Sequence, residues 1–518
     1  MSNKNKSGMG FEVNIRSANN NPLVDNTNGD VPFNMAILGD FCGSFEHPNS
    51  ARKPLAQRKF IVIDRDNFDE VLARFKVTLN ISSVGESGNK TAINISGLDD
   101  FHPDALYEKL EVFSKLRNIR RRLKDKNSFD SAASEIMGWL VVDKQTEQNV
   151  STTPAFERDK VLQHGSLLDN ILDVTPQFSS DMEYITKPGG IDQLIKQIIS
   201  PYVEPSTHPR QPEMLKAVDD ATADYMRQIL HHPHFQNLEA AWRSVYFLIS
   251  RIETGRHLKI YLLDVSRQEL EADLAGGETS SVMHKLFCDP AINDISWSLL
   301  VGNYTFEDKI DDVLLLAQLA DIAKNAHAPF LAGANETLAG CESFSQYPDA
   351  ADWQYEMKPG VDNAWKMLRQ SPVADYIGLA LPKFLLRVPY GEKSGPIDAF
   401  DFEEITRDGP ACHECFLWGN AAFIKAEQLA RAFAENHWAM RPGDANQTDN
   451  LPMYYYEEDG ETLLMPCAEI YLTEKGGRKL SEQGLMALWS VKNMDAVRSS
   501  DFNALSADQK SLQGRWIK

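Results

Sequence analysis

The sequence predicts a mixed α/β and α+β protein: a small α+β domain, then a larger α/β region with mixed sheets covered by helices. Three observations carry this. Lys76-Val77-Thr78-Leu79-Asn80-Ile81 and Lys90-Thr91-Ala92-Ile93-Asn94-Ile95 alternate apolar and polar residues on either side of a Gly/Ser/Asn loop, the period-two pattern of an antiparallel hairpin with one buried face. Residues 298–302, a helix bearing Ile310, Val313, Leu314, Ala317, Ala320 and Ile322, and residues 329–333 follow one another through short loops. That order implies a parallel strand pair joined by a right-handed crossover. Apolar stripes at spacings of three and four, such as Leu215, Val218, Thr222, Tyr225 and Ile229, mark helices packed on one face.

Taken in order, residues 1–30 are rich in Asn, Ser, Gly and Asp and form a polar arm that cannot bury a core alone. Phe33-Asn34-Met35-Ala36-Ile37-Leu38-Gly39 and Lys59-Phe60-Ile61-Val62-Ile63-Asp64 read as strands around the turn-rich stretch 42–54. Asp66 is expected to cap a helix over 67–75. After the hairpin, a helix from about Pro103 aligns Leu106, Leu110, Phe113, Leu116, Ile119 and Leu123. Residues 31–140 thus form one domain, and the charged, aperiodic stretch 141–160 is a linker. The larger region runs over 161–395 and 396–518. It holds a second helical stripe (Leu238, Ala241, Trp242, Val245, Leu248, Ile252), a strand at 259–263, the crossover unit, a strand at 384–388 and a helix at 420–435. No internal repeat is present.

Composition narrows the function. With 53 basic and 74 acidic side chains the net charge is −21, a field that repels nucleic-acid phosphates and anionic headgroups. The 42% hydrophobic and 25% charged fractions are those of globular protein. No run reaches the roughly 18 apolar residues of a membrane span, and the N-terminus has no apolar signal core, so a cytoplasmic protein without membrane insertion is expected. The six scattered cysteines are expected to stay reduced.

No catalytic, cofactor-binding or metal residue is expected, and the chain does not read as an enzyme. The paired glycines lack the companions of a phosphate-binding loop, and neither a Gly-x-Ser-x-Gly elbow nor a His-Glu-x-x-His pair occurs. Cys412-His413-Glu414-Cys415 lacks the second ligand pair of a structural zinc site. His231-His232-Pro233-His234 marks a helix junction. Arg117, Arg120, Arg121, Arg122, Lys124 and Lys126 form a basic run that serves either as a solvated helix face or as a docking surface for an acidic neighbour.

Longer motifs carry a resemblance. Pro32-Phe33, Ile37-Leu38-Gly39-Asp40-Phe41-Cys42-Gly43, Arg58-Lys59-Phe60, Ile63-Asp64-Arg65-Asp66-Asn67-Phe68 and Asp99-Asp100-Phe101-His102-Pro103 resemble the small subunit of the type VI secretion contractile sheath (TssB/VipA-like). His234-Phe235-Gln236, Leu238-Glu239-Ala240-Ala241-Trp242-Arg243, Leu300-Val301-Gly302-Asn303-Tyr304, Ala326-His327-Ala328-Pro329-Phe330, residues 379–391 and Leu417-Trp418-Gly419-Asn420 resemble the large subunit (TssC/VipB-like). The chain is therefore similar to the two subunits fused through the 141–160 linker.

The resemblance implies a structural subunit that polymerises around an inner tube and contracts to drive effector delivery. The implied partners are other copies or sheath subunits, the inner tube protein, baseplate components and a disassembly AAA+ ATPase (ClpV-like). Within these motifs Arg243 and Arg387 are expected to be buried ion-pair partners rather than ligand binders, and the polar arm and linker are the candidates for strands exchanged between protomers. By the same resemblance the chain departs from the family at Asn303, Ser244 and residues 441–447, and is expected to lack the usual C-terminal tube-facing segment. The alternative expectation is thus a sheath-like accessory, cap or baseplate adaptor of the same apparatus.

Overall fold

The computed structural model of the chain describes residues 31–43, 53–82, 90–137, 190–203, 210–277, 280–406, 413–458 and 460–517. The expectations for the polar arm, the 141–160 linker and Cys412 fall outside them.

The first part contains β1 (Phe33–Gly39), β2 (Ile61–Ile63), α1 (Phe68–Phe75), the hairpin β3 (Val77–Ser82) and β4 (Lys90–Ile95), α2 (Pro103–Lys109) and α3 (Glu111–Lys124). The second begins with α4 (Gly190–Ile199), α5 (Gln211–Leu230), α6 (Pro233–Arg251), β5 (Leu258–Asp264), α7 (Arg267–Leu274), α8 (Val282–Cys288), β6 (Leu299–Phe306), α9 (Ile310–Asn325) and β7 (Phe330–Ala334). It continues with α10 (Pro359–Gln370), β8 (Ile377–Leu381), β9 (Phe384–Arg387), β10 (Leu417–Gly419), α11 (Ala422–Asn436) and β11 (Gln447–Thr448). Last come β12 (Tyr455–Glu458), β13 (Glu461–Leu464), α12 (Glu474–Glu482), β14 (Leu485–Ser490) and β15 (Val497–Ser499).

A nine-stranded sheet in the order β11-β15-β14-β8-β7-β6-β1-β5-β2 organises both parts. The strand–helix–strand unit forms as expected: β6 and β7 pair in parallel across α9. The unexpected element is β1. It does not stay with residues 31–137 but lies between β5 and β6, parallel to both, with Phe33 opposite Leu258 and Met35 opposite Leu299. Its seven residues are all buried, which is what a strand covered on both faces requires. Phe33, Met35 and Ile37 enter one apolar core, Ala36 and Leu38 the other. The first core packs α3, α5, α6 and α11, and the second packs α7, α8, α9 and α10. The small part is thus built into the sheet of the large one.

Three local expectations shift. The cap of α1 is Asn67, not Asp66, because the Asp64 carboxylate accepts from the backbone N–H of both Asp66 (3.0 Å) and Asn67 (2.9 Å) and folds them into the preceding turn. The single helix expected from Pro103 is two, broken where Leu110 turns extended (φ −79°, ψ 131°). On α9 the buried side carries Val313, Leu315, Leu316, Leu319, Ala320, Ile322 and Ala323, while Leu314 is 57% exposed. A helix apolar nearly all round does not fix its own inward face.

Trp242 locks the two parts together from α6. Its indole N–H donates to the Phe41 carbonyl at 3.0 Å, and its ring meets Phe41, Phe68 and Phe75 edge-on at centroid distances of 5.3–5.8 Å.

Candidate functional site

One turn of α6 sets Glu239 and Arg243 on the same face, and Arg243 Nε donates to Glu239 Oε1 at 2.7 Å. From β9, Arg387 donates to both carboxylates of the cluster: Nε to Glu239 Oε1 at 2.9 Å, Nη1 to Glu404 Oε2 at 2.8 Å and Nη2 to Glu404 Oε1 at 3.1 Å. The carboxylates of Glu239 and Glu404 are fully buried. The Tyr390 backbone N–H donates to Glu404 at 2.7 Å, the Arg387 guanidinium lies 4.3 Å from the Tyr390 ring centroid, and His231 Nε2 is 3.5 Å from Glu404. Burial works to raise the Glu404 pKa, but Arg387 and His231 overcome it and hold the carboxyl at about 2. Burial likewise opposes the Arg387 charge, yet Glu239 and Glu404 push its pKa well above the usual value. Two guanidiniums balance two carboxylates, so the cluster is neutral in sum. Arg243 and Arg387 thus lie in a closed ionic knot in which each guanidinium is committed to carboxylates.

This knot sits at a joint. The loop after β9 reaches residues 102–107 of the first part: the His102 and Tyr390 rings meet at 4.8 Å, the Asp398 and Ala399 backbone N–H groups donate to Asp104, and Phe400 stacks on Tyr107 at 4.5 Å. A second knot lies on the opposite end of β9, where buried Glu469 takes Lys383 at 3.2 Å and His413 at 3.2 Å. Burial raises the Glu469 pKa less than Lys383 and His413 lower it, leaving it at about 2. His413, from the Cys/His motif, is thus turned to a carboxylate and stacked on Trp418. Among the described residues no group of three or more side chains is placed to hold a metal ion.

The basic run divides. Arg120 binds both Asp219 oxygens on α5 at 2.5 and 3.0 Å, Lys115 reaches Asp192 on α4 at 2.6 Å, and Arg122 pairs with Glu135 at 2.7 Å. Arg117 donates to the Glu108 carbonyl and lies over the Tyr107 ring, and Arg121 donates to Asn118. Lys124 is exposed. Part of the acidic neighbour that the run faces is therefore the chain's own α4 and α5.

Two groups carry no signal in the motifs. Glu404 lies in an irregular loop. Lys425 lies in α11 and is fully buried, donating to Ser499 Oγ at 3.0 Å and the Ser500 carbonyl at 2.7 Å, with its ammonium 3.7 Å from the Phe502 centroid. Burial lowers its pKa to about 7 against a weaker opposing pull from Asp501. The unfolded chain, with the ordinary value of 10.5, then binds more protons above pH 7, so this lysine makes stability rise with pH. Lys425→Met is expected to flatten that rise between pH 7 and 9, measured by urea unfolding at both pH values. An unchanged slope would remove Lys425 as its source.

Comparison with known proteins fits this architecture. Residues 212–505 match the VipB family model, described as EvpB/VC_A0108, tail sheath N-terminal domain. Residues 21–153 match the type VI secretion system VipA model, described as VipA, VC_A0107 or Hcp2. The matches define a tail-sheath type of protein. The chain belongs to the type VI secretion sheath family, with a VipA-like and a VipB-like part in one polypeptide. It is 32% identical over 293 residues to the type VI secretion system sheath protein TssC1 of Pseudomonas aeruginosa, an alignment covering 54% of this chain and 58% of TssC1. It is 30% identical over 137 residues to the sheath protein TssB1 of the same organism, covering 25% of this chain and 78% of TssB1. The chain thus spans less than two thirds of TssC1. No helix among the described residues is long and apolar enough to cross a membrane.

Proposed function

We propose that this chain is a fused sheath protomer that polymerises helically around an inner tube in the cytoplasm and contracts to drive it outward. The observation that carries the reading is β1, a VipA-like strand in the interior of the VipB-like sheet. Two subunits that pair so intimately act as one rigid unit, and fusion holds them at one to one with a high effective concentration. A rigid unit with heterologous contacts that do not close forms an open helical tube. The work of contraction comes from repacking between such units and needs no catalytic group. On this reading the partners are other copies of the chain, an inner tube protein, baseplate components and a disassembly AAA+ ATPase. Both ion knots and the internal half of the basic helix keep each protomer stiff, so that strain appears between protomers and not within them.

Electron microscopy of the purified chain tests the proposal. Long hollow tubules at high protein concentration are expected. Persistent monomers or closed small rings would move the chain to an accessory or cap of the same apparatus.

A further inference from the structure

Away from the ion knots, one pocket joins a buried donor that has no acceptor to a carboxylate that has no cation. It is an open cavity of about 280 Å³ between the 3-10 turn Glu336–Ala339 that follows β7, residues 355–357 and the first turns of α10. Leu338, Met357 and the aromatic side chains of Tyr355 and Trp365 line it together with Glu356 and Asp362. Its frame is well fixed. The Asn335 side chain accepts from the Thr337 backbone N–H at 3.0 Å, and Gly340 closes the turn in the left-handed region at φ +79°. The Gly340 carbonyl accepts from the Tyr355 N–H at 3.0 Å, and the Tyr355 hydroxyl donates to Asp308 just ahead of α9.

Trp365 is 2% exposed, and its indole N–H has no hydrogen-bond partner among the described residues. Buried donors are ordinarily satisfied, and leaving one bare costs about 1–3 kcal/mol. Because Trp365 forms part of the wall, an acceptor for it can arrive through the pocket. The charge around the pocket is negative. Glu356 is exposed, and among the described residues its carboxylate has no hydrogen bond or ion pair. Asp362 holds Lys366 at 2.6 Å between side chains 36% and 63% exposed, a contact that contributes little. The Asp308 hydrogen bond, burial and the charges of Asp308 and Glu342 push the Tyr355 hydroxyl up to about 12. Arg369, one turn beyond Trp365, is held by three neutral oxygens, those of Leu505 (3.1 Å), Gln483 (3.1 Å) and Glu482 (2.9 Å).

Aromatic walls beside carboxylates suit a guanidinium, a planar, weakly hydrated cation that stacks on rings and pairs with carboxylates. A guanidinium has no acceptor of its own, so it leaves the Trp365 N–H bare unless a carbonyl comes with it. The volume is at the lower end of small-ligand sites, about 300 Å³, and holds one long side chain with its backbone. We infer that this pocket receives an arginine side chain presented on a peptide of another protein. The guanidinium lies against Tyr355 and Trp365 and pairs with Glu356 and Asp362, and a main-chain carbonyl of the same peptide accepts the Trp365 N–H. Charge-paired at a surface, the contact weakens with salt. It does not depend on the sheath reading.

Saturation-transfer difference NMR on the full chain tests it with three probes: N-acetyl-arginine methylamide, the uncharged citrulline counterpart, and butylguanidine, which has the cation and no carbonyl. The arginine derivative is expected to take up the most saturation, butylguanidine less and the citrulline derivative least. Glu356→Gln, at an exposed position, is expected to lower the arginine signal by about threefold, the share of an exposed ion pair. Trp365→Phe is expected to erase the advantage of the arginine derivative over butylguanidine. Equal signals from the arginine and citrulline derivatives, or an undiminished arginine signal in Glu356→Gln, overturn the inference. Equal signals from the arginine derivative and butylguanidine on the unaltered chain overturn the peptide as the source. So does an advantage kept in Trp365→Phe that circular dichroism shows to be folded; should that variant unfold, the Glu356→Gln result decides alone.

Discussion

Arg387→Met is expected to destabilise the fold by about 3–5 kcal/mol, the cost of leaving a buried charge without its partner. Glu239 keeps Arg243, but Glu404 loses both Arg387 hydrogen bonds and retains His231 at 3.5 Å. Denaturant unfolding of the two chains measures the difference, and a loss below about 1 kcal/mol would show that the knot is not a stabilising unit. Adding Glu404→Gln to the Arg387→Met chain should recover part of the loss, because it removes the stranded charge. Acid behaviour offers a second readout. Glu404 and Glu469 are held at about 2, against an ordinary 4.5. Their stabilisation is complete above pH 4.5 and is lost as pH falls toward 2. With Arg387 gone the Glu404 share disappears, so the fall in stability over that window should become shallower.

A chain starting at residue 190 is expected not to fold by itself. Removing β1 takes Phe33, Met35, Ala36, Ile37 and Leu38, all 0–1% exposed, from the two cores, and buried apolar side chains of the larger kind contribute about 1.5–3 kcal/mol each. It also bares the facing edges of β5 and β6 in mid-sheet, an invitation to aggregate. Co-expression with residues 1–150 should restore a soluble one-to-one complex on size-exclusion chromatography. A monodisperse, cooperatively unfolding 190–518 fragment would contradict the central place of β1.

How far the sequence could be read depended on the range of the contacts. The β3–β4 hairpin was legible because strict alternation and a polar loop are local signals, and the observed register, Val77 opposite Ile95, follows from them. The β6–α9–β7 unit was legible for the same reason. The position of β1 was not. Its run Phe-Asn-Met-Ala-Ile-Leu-Gly announces a strand, and its lack of alternation hints at burial on both faces, but its partners start at Leu258 and Leu299. Nothing periodic links segments more than 200 residues apart. The site followed the same rule. Glu239 could have been found from its place four residues before Arg243, on a helix otherwise apolar around it. Lys425 could have been suspected from its neighbours Phe423, Ile424 and Ala426. Glu404 had no signal, because only the folded loop after β9 brings it under Arg387. The basic run was visible as a run, but which of its cations find acids of the same chain depends on where α4 and α5 lie.

The setting of β1 also decides how the molecule bears load. A strand gripped on both sides by parallel neighbours cannot be peeled away from an open edge. A pull that slides the VipA-like part past the VipB-like part along the strand axis stresses the backbone hydrogen bonds to β5 and β6 together, in shear, and none yields before the others. Rupture then demands a force that breaks the whole row at once, which makes β1 a mechanical rivet between the two parts of the chain.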